Sequence, residues 1–204
     1  MSSNESADSL DPLWAKVEQA AAQEDMPGVL FILRALADKG VWQAYARIGE
    51  IYERGAKGID KDPAQALQWY RRALFDGDDP VAHMGLGRAY YSGVGTERDY
   101  RAARKHLEKA LADGILDAAI YLGMIYYGSL DVPQDKPRAK RYFLIAANAE
   151  YFFAYFKLAR IAFDEGNYLK GLWLSLKGWF LGFKISRLNP NDPRLVGLDS
   201  ASQR

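Results

Sequence analysis

The residues that could support catalysis or bind a metal are few and widely separated in this sequence. The 204-residue chain has two histidines, His83 and His106, and no cysteine. Cysteine is therefore absent as a nucleophile, as a metal-binding thiolate and as a partner in a disulfide. A zinc site needs several ligands at characteristic spacing, and no HExxH motif is present. Because catalysis requires a convergent set of titratable groups, we predict that the protein is not an enzyme and binds no cofactor or metal.

Two short motifs resemble ligand-binding loops but lack their defining residues. Gly93-Val-Gly95 follows a helical pattern instead of a strand, and no Lys-Ser/Thr pair follows it as in a phosphate-binding loop. The acidic residues at 76–79 lack the spacing of a calcium loop and are typical of helix caps and turns. Basic residues on the predicted second helices could form a weakly basic face. The net charge of +1 nevertheless makes nucleic acid an unfavoured partner.

A repeated pattern of small and aromatic residues runs through the rest of the chain. One small position recurs at intervals of 38, 36 and 36 residues, at Gly49, Gly87, Gly123 and Ala159. A second small position follows in each copy, at Ala73, Ala110, Ala146 and Gly178. Small side chains at fixed positions let two helices approach closely, and such helix pairs must stack to bury their apolar faces. The period predicts an all-α array of helix pairs; the alternative is a non-repetitive helical bundle.

Helix-capping residues mark where the second helix of each pair begins. An Asp or Asn precedes each of these helices and can accept hydrogen bonds from its first free N–H groups, at Asp62, Asp99, Asp135 and Asn167. Pro63 and Pro137 follow in the first turn, where a missing N–H costs little. These residues predict that each second helix starts at a defined point.

This pattern resembles the Sel1-like repeat family, a relative of the tetratricopeptide repeat with a longer loop in each unit. In the first unit the resemblance rests on Ala44, Gly49, Tyr52, Gly55, Asp62, Ala66, Trp69, Tyr70, Ala73 and Gly77. It implies a right-handed superhelical solenoid of about five antiparallel helix pairs. It also implies an adaptor in signalling or assembly, a type often found in bacteria.

The chain is expected to form one folded region with two irregular ends. We predict a disordered leader at 1–10, a single solenoid at 11–188 and an irregular tail at 189–204, in which Leu195, Val196 and Leu198 could dock on the last pair. The solenoid divides into a capping pair at 11–40, repeats at 42–78, 80–115 and 116–150, and a tetratricopeptide-like repeat at 151–188. No signal peptide is recognisable, and no apolar run approaches the ~20 residues that a membrane span needs. A cytoplasmic location is therefore expected.

The resemblance implies that a partner binds along the concave face formed by the first helices. Residues of each first helix that point away from the second helix would contact this partner, and Val81 is the first of them in the second unit. The main predicted contacts are Glu50, Glu53, Met84, Arg88, Tyr91, Ile120, Met124, Tyr127, Phe153, Phe156, Arg160 and Phe163. Aromatic residues, Met and Arg are common anchors of protein interfaces. We therefore expect the C-terminal half of the groove to bind an apolar segment of a partner protein. The alternative for Phe153 and Phe156 is packing against the terminal helices or the tail.

The last helical segment is unusually rich in Trp, Phe and Leu. Its lysines recur every seven residues and so stay near one stripe, and the candidate surface residues are Lys170, Trp173, Lys177, Trp179, Phe180 and Lys184. Three interpretations are open. The segment is a core helix covered by the tail, a protein interface that includes self-association, or an amphipathic helix on a membrane surface.

The predicted function is a non-catalytic scaffold or adaptor that binds a segment of a partner protein in its concave groove. One alternative is an inhibitor or immunity protein that occludes a toxin or enzyme. A second is a peripheral membrane-associated assembly factor that uses the C-terminal helix.

Overall fold

The structure is a computed structural model, and it describes residues 11–128, 133–189, 192 and 194. These residues form ten α-helices and no β-strand. The helices are α1 (Asp11–Ala22), α2 (Met26–Asp38), α3 (Trp42–Arg54), α4 (Pro63–Asp76), α5 (Pro80–Ser92), α6 (Tyr100–Ala112), α7 (Ala118–Gly128), α8 (Lys136–Asn148), α9 (Phe152–Asp164) and α10 (Tyr168–Leu188). The predicted leader at 1–10 and the docking of Leu195, Val196 and Leu198 lie outside the described residues.

The all-α helical-repeat prediction is confirmed, with two helices at each of the five predicted pairs. α1 and α2 lie within the predicted capping pair, and α3 to α10 lie within the four predicted repeats, two helices in each. None of the described helices combines the length and the hydropathy that a membrane crossing requires.

The capping residues act as the sequence predicts. The Asp62 carboxylate accepts a hydrogen bond from the Gln65 amide at 2.9 Å, and that of Asp135 does the same for Arg138 at 2.8 Å. Asp99 and Asn167 cap α6 and α10 in the same way. Each cap satisfies an amide that the helix itself leaves unpaired, so the second helices begin at the predicted residues.

The chain forms two compact units, residues 1–98 and 99–204. Unit 1 holds α1 to α5, and its core is centred on Tyr70 of α4. The Tyr70 ring lies against Gly49 of α3 and Gly85 of α5, where an added Cβ would stand 2.6 and 2.3 Å from the ring. Glycine at both positions lets three helices approach one buried ring.

Unit 2 holds α6 to α10 and uses the same kind of contact. The Phe143 ring of α8 lies against Gly123 of α7, where an added Cβ would stand 2.5 Å away. Tyr155 of α9 is buried, and its hydroxyl donates a hydrogen bond to the Ala147 carbonyl at 3.1 Å. α9 packs against both α8 and α10, so the last three helices form a continuous layer within this unit.

Candidate functional site

Unit 1 carries a groove of about 540 Å³ whose walls come mainly from α1, α2 and α3. Its floor is apolar and consists of Val17, Met26, Val29, Leu33, Ile51 and Val81. The sequence register identified Val81 and the rim residue Glu50, but it missed Met26 and Ile51. Extending the register of first-helix positions into the capping pair would have indicated that α1 also borders this groove.

The rim of this groove is charged but balanced. Arg47 of α3 forms an ion pair with Glu18 of α1 at 3.3 Å, and its guanidinium lies 4.9 Å from the Trp14 ring centroid. Arg54 forms an ion pair with Glu50 one turn earlier at 3.4 Å. Because each arginine has a carboxylate partner, the rim carries no net charge around an apolar floor.

Glu53 and Arg88, two predicted partner-binding residues, contact each other. Arg88 donates two hydrogen bonds to the Glu53 carboxylate, at 3.0 Å from Nε and 2.6 Å from Nη2. The Tyr70 hydroxyl donates a third to the same carboxylate at 2.6 Å. Burial raises the pKa of Tyr70 above its ordinary value, and the Glu53 carboxylate raises it further. A carboxylate with three donors is well satisfied, so this cluster ties α3, α4 and α5 together.

Burial limits what the other predicted groove residues can offer a partner. Met84 is 4% exposed and Ile120 is 7% exposed. Tyr91 and Met124 are half-buried. Met84 and Ile120 therefore present little surface, whereas Tyr91 and Met124 keep part of theirs accessible.

Tyr127 and Arg160 converge on one carboxylate in unit 2. The Tyr127 hydroxyl donates a hydrogen bond to Asp164 at 2.8 Å, and Arg160 forms an ion pair with Asp164 at 3.4 Å. Lys136 also lies 3.4 Å from this carboxylate. The hydrogen bond from Tyr127 lowers the pKa of Asp164, and Lys136 acts in the same direction. Asp164 thereby links α7, α8 and α9.

The predicted aromatic contacts on α9 pack within unit 2. Phe156 meets Phe152 edge to face, with ring centroids 5.9 Å apart, and it also approaches Gly178 of α10. Phe163 lies against Gly171 of α10. Phe153 is half-buried, and the Lys157 ammonium stands 4.5 Å from its ring centroid. For Phe156 this is the packing against the terminal helix that the sequence left as an alternative, and Phe163 packs on the same helix.

A second cavity of about 540 Å³ lies in unit 2 beside Tyr126. The Tyr126 hydroxyl accepts a hydrogen bond from Arg138 at 2.9 Å and from Arg104 at 3.4 Å, and it donates to Glu108 at 3.3 Å. Arg138 also forms an ion pair with Asp135 at 3.4 Å. The lining also includes Lys136, which forms an ion pair with Asp164 at 3.4 Å, so each of the three cations that line this cavity is engaged by a carboxylate or by Tyr126.

The two histidines lie on different helices of the described part of the chain, His83 on α5 and His106 on α6. His83 contacts Asp78 through Nε2 at 2.8 Å, next to the turn before α5. His106 is half-buried on α6. No group of three or more His, Asp or Glu side chains that could hold a metal occurs among residues 11–128 and 133–189.

The predicted second interface lies on α10, and its side chains are exposed. Trp173 is 58% exposed, Trp179 64% and Phe180 65%. Lys170, Lys177 and Lys184 are also exposed. The buried residues of this helix are Gly171, Leu174, Gly178 and Ile185. One face of α10 thus packs on the protein, while its aromatic residues lie outward.

Three segments of the chain match the Sel1 repeat, at residues 42–74, 80–115 and 116–151, which together make up just over half of its length. The chain belongs to the Sel1 repeat family. Sel1 repeat proteins are generally protein-interaction scaffolds and are typically non-catalytic. The matched segments correspond to the first three predicted repeats. The pair α9–α10 follows the last of them.

Curated relatives match parts of this chain. An uncharacterized protein of Neisseria meningitidis serogroup B is 32% identical over 126 residues, which cover 62% of this chain and 26% of that protein. An ERAD-associated E3 ubiquitin-protein ligase component of Arabidopsis thaliana is 33% identical over 105 residues, 51% of this chain and 16% of that protein. The matches thus span about a quarter or less of each relative. They include a bacterium and a plant, so a bacterial source stays a prediction.

Solved structures share the fold. A Sel1 repeat protein from Oxalobacter formigenes superposes with a TM-score of 0.64 at 23% identity, covering 83% of this chain and 70% of that one. A protective antigen of uropathogenic Escherichia coli with an SLR fold gives 0.68 at 22% identity, covering 90% and 43%. A Sel1 repeat protein from Klebsiella pneumoniae gives 0.60 at 20% identity, covering 92% and 94%. Each of these superpositions covers more of this chain than the three matched repeats do.

Proposed function

We propose that this Sel1 repeat protein is a scaffold that binds an apolar segment of a partner protein in the groove of unit 1. The observation that carries the proposal is the apolar floor between α1, α2 and α3, enclosed by a rim whose charges are paired. A volume of about 540 Å³ falls within the range of ligand-binding clefts. It can accept a few apolar side chains of a segment that runs along the first helices.

The charge balance of the rim indicates which kind of partner segment the groove would bind. A strongly acidic or basic peptide would have to break the Arg47–Glu18 or Arg54–Glu50 pair to gain one of its own. An apolar segment with few charges leaves both pairs intact and gains by covering Met26 and Ile51, which are only half-buried. We therefore propose a partner segment whose anchors are aliphatic or aromatic.

The residues on the first helices of unit 2 are a proposed extension of the same function. Met124 and Phe153 are half-buried, and Arg160 is exposed. They remain candidates for partner contact, whereas Glu53 and Arg88 are proposed to act by holding their helices together.

Site-specific photocrosslinking in the native cell tests the groove. A photoreactive phenylalanine analogue would replace Glu50 on the rim, with a matched control at Gln68, an exposed residue on α4 that does not line the groove. We expect a discrete adduct from position 50 and none from position 68. Circular dichroism would verify that both proteins keep their helices.

Competition then separates a scaffold from an inhibitor. A scaffold predicts that a synthetic peptide containing the crosslinked segment prevents formation of the adduct. An inhibitor of a folded toxin or enzyme predicts that no single peptide does so. Identical adducts from both positions, or none from position 50, would show that the groove is not the binding site.

A further inference from the structure

α10 presents an apolar surface on the side that faces away from the protein. Eight apolar side chains on this side of the helix are more than half exposed, and Leu188 at its end is exposed as well; the eight are Tyr168, Leu169, Leu172, Trp173, Leu176, Trp179, Phe180 and Phe183. At 3.6 residues per turn they fall within an arc of roughly 140°, opposite the buried Gly171, Leu174, Gly178 and Ile185. A contiguous exposed apolar surface of this kind marks an interaction site, so this surface requires an occupant.

A further stacked helix does not account for this surface. Gly171 and Gly178 of α10 correspond in register to the buried Ala139 and Ala146 of α8. By the same register, Leu169, Trp173, Leu176 and Phe180 correspond to Pro137, Arg141, Leu144 and Asn148. Those four residues of α8 are exposed although α8 packs against both α7 and α9. A helix stacked on α10 in the same way would leave the corresponding side chains uncovered.

The charge on α10 is entirely positive. Residues 168–188 contain Lys170, Lys177, Lys184 and Arg187 and no acidic residue. The three lysines lie along one edge of the apolar arc, and Lys177 stands 5.2 Å from the Trp173 ring centroid. Within the described residues, no carboxylate lies within ion-pair distance of these four cations. The nearby acids Asp164 and Glu165 pair instead with Lys136 and Lys140 of α8.

This charge disfavours a second copy of the chain as the occupant. In a symmetric contact of α10 with α10, neither helix offers an acidic residue to offset the lysines of the other. The occupant that matches both the apolar arc and the uncompensated lysines is a surface that is apolar inside and negative outside. An anionic lipid bilayer has this chemistry, and interfacial helices with Trp, Phe and Leu beside lysines bind to it.

We propose that α10 lies in the plane of an anionic membrane surface. Trp173, Trp179 and Phe180 insert at the level between headgroups and acyl chains, and the lysine edge contacts lipid phosphates. Ser175 and Ser186 flank the arc on its other side, so both borders of the inserted face are polar. This proposal is independent of the groove in unit 1, because the two surfaces use different residues.

Vesicle cosedimentation of the full chain tests the proposal. The probes are vesicles of phosphatidylcholine alone and of phosphatidylcholine with roughly 30 mol% phosphatidylglycerol. We expect binding to the anionic vesicles that is at least about ten-fold stronger than to the neutral ones and that weakens with added salt. On binding, Trp fluorescence should shift to shorter wavelength as Trp173 and Trp179 leave water.

Three variants identify the surface. Trp173→Gln/Phe180→Gln should lower binding to anionic vesicles by at least about ten-fold, because apolar burial supplies much of the affinity. Lys170→Gln/Lys177→Gln/Lys184→Gln should abolish the preference for anionic lipid. The matched control is Phe31→Gln/Phe75→Gln, which removes two exposed rings from α2 and α4 and should bind as the wild type does.

Each opposite result overturns the proposal. Equal binding to both kinds of vesicle, or unchanged binding by Trp173→Gln/Phe180→Gln, would show that α10 is not the anionic-lipid surface. Absence of vesicle binding by a folded wild-type protein would do the same. If sedimentation equilibrium then shows a dimer of the wild type that Trp173→Gln/Phe180→Gln dissociates, the occupant of the α10 surface is a second copy of the chain.

Discussion

α8 and α10 are the second helices of consecutive predicted repeats, and their packed faces are alike while their outer faces differ. On the packed face both carry small residues, Ala139 and Ala146 in α8 and Gly171 and Gly178 in α10. An aromatic ring lies against a glycine in each pair, Phe143 on Gly123 and Phe163 on Gly171. In the first case α8 supplies the ring, and in the second α10 supplies the glycine.

The outer faces differ in both polarity and charge compensation. Arg141 and Asn148 of α8 are replaced at the corresponding positions of α10 by Trp173 and Phe180. Lys136 and Lys140 of α8 have carboxylate partners within unit 2, whereas the lysines of α10 lie outside ion-pair distance of the described acids. The packed face is constrained by close helix approach. The outer face is not constrained by close helix approach, so its composition reflects what the surface contacts.

The packed face should give the largest effect on stability. In Gly123→Ala the new methyl group would stand 2.5 Å from the Phe143 ring, so the ring or the helix must move. Overpacking of this kind costs about 1–3 kcal/mol, which exceeds the gain in helix propensity of about 1 kcal/mol except at the low end of that range. We expect a net loss of about 1 kcal/mol in the free energy of unfolding, measured by urea denaturation.

A double-mutant cycle supplies the control for this prediction. Phe143→Leu removes the ring, so Gly123→Ala should cost less in that background than in the wild type. Additive effects of the two substitutions would mean that the contact between ring and glycine is not what holds α7 against α8.

The outer face of α10 should give a smaller effect on stability. Because Trp173 and Phe180 are mostly exposed, Trp173→Gln/Phe180→Gln should change the free energy of unfolding by no more than about 0.5 kcal/mol per site. Binding of a hydrophobic dye should fall at the same time. A loss of several kcal/mol would instead mean that this face is covered by the protein's own chain, as in the core-helix interpretation of the sequence.

Much of the packed face could be predicted from the sequence, because local chemistry determines it. Asp62 and Asp135 begin helices wherever their carboxylates can accept the first amides. Gly49 and Gly123 are needed where two helices approach a ring. These requirements repeat with every unit, so they are visible as periodicity.

The partner surface could be predicted less well, because it depends on which side chains neighbouring helices cover. The register of the repeats places Met84 and Ile120 on the predicted concave face of the first helices, yet both are buried. First helices also pack on one another, as α3 does on α5, and this closes part of the predicted face. Met26 and Ile51 were missed for the converse reason. They look like core residues, and only the arrangement of α1, α2 and α3 leaves them beside a groove.

Removing the carboxylate that pairs with Lys136 of α8 should give the smallest effect on stability, and this effect should depend on pH. The hydrogen bond from Tyr127 and the charge of Lys136 lower the pKa of Asp164 below its ordinary value of 3.8. A carboxylate with a lowered pKa stabilises the folded state above the unfolded pKa, and this contribution disappears as the pH falls through the folded value. Asp164→Asn should therefore lower the melting temperature slightly at neutral pH, and the difference should vanish in acid below pH 3.8.

Lys184→Gln on α10 is the matched control, since no described carboxylate lies within ion-pair distance of Lys184. Its melting temperature should follow the wild type at every pH, and an acid-sensitive difference would mean that the lysines of α10 are compensated as those of α8 are.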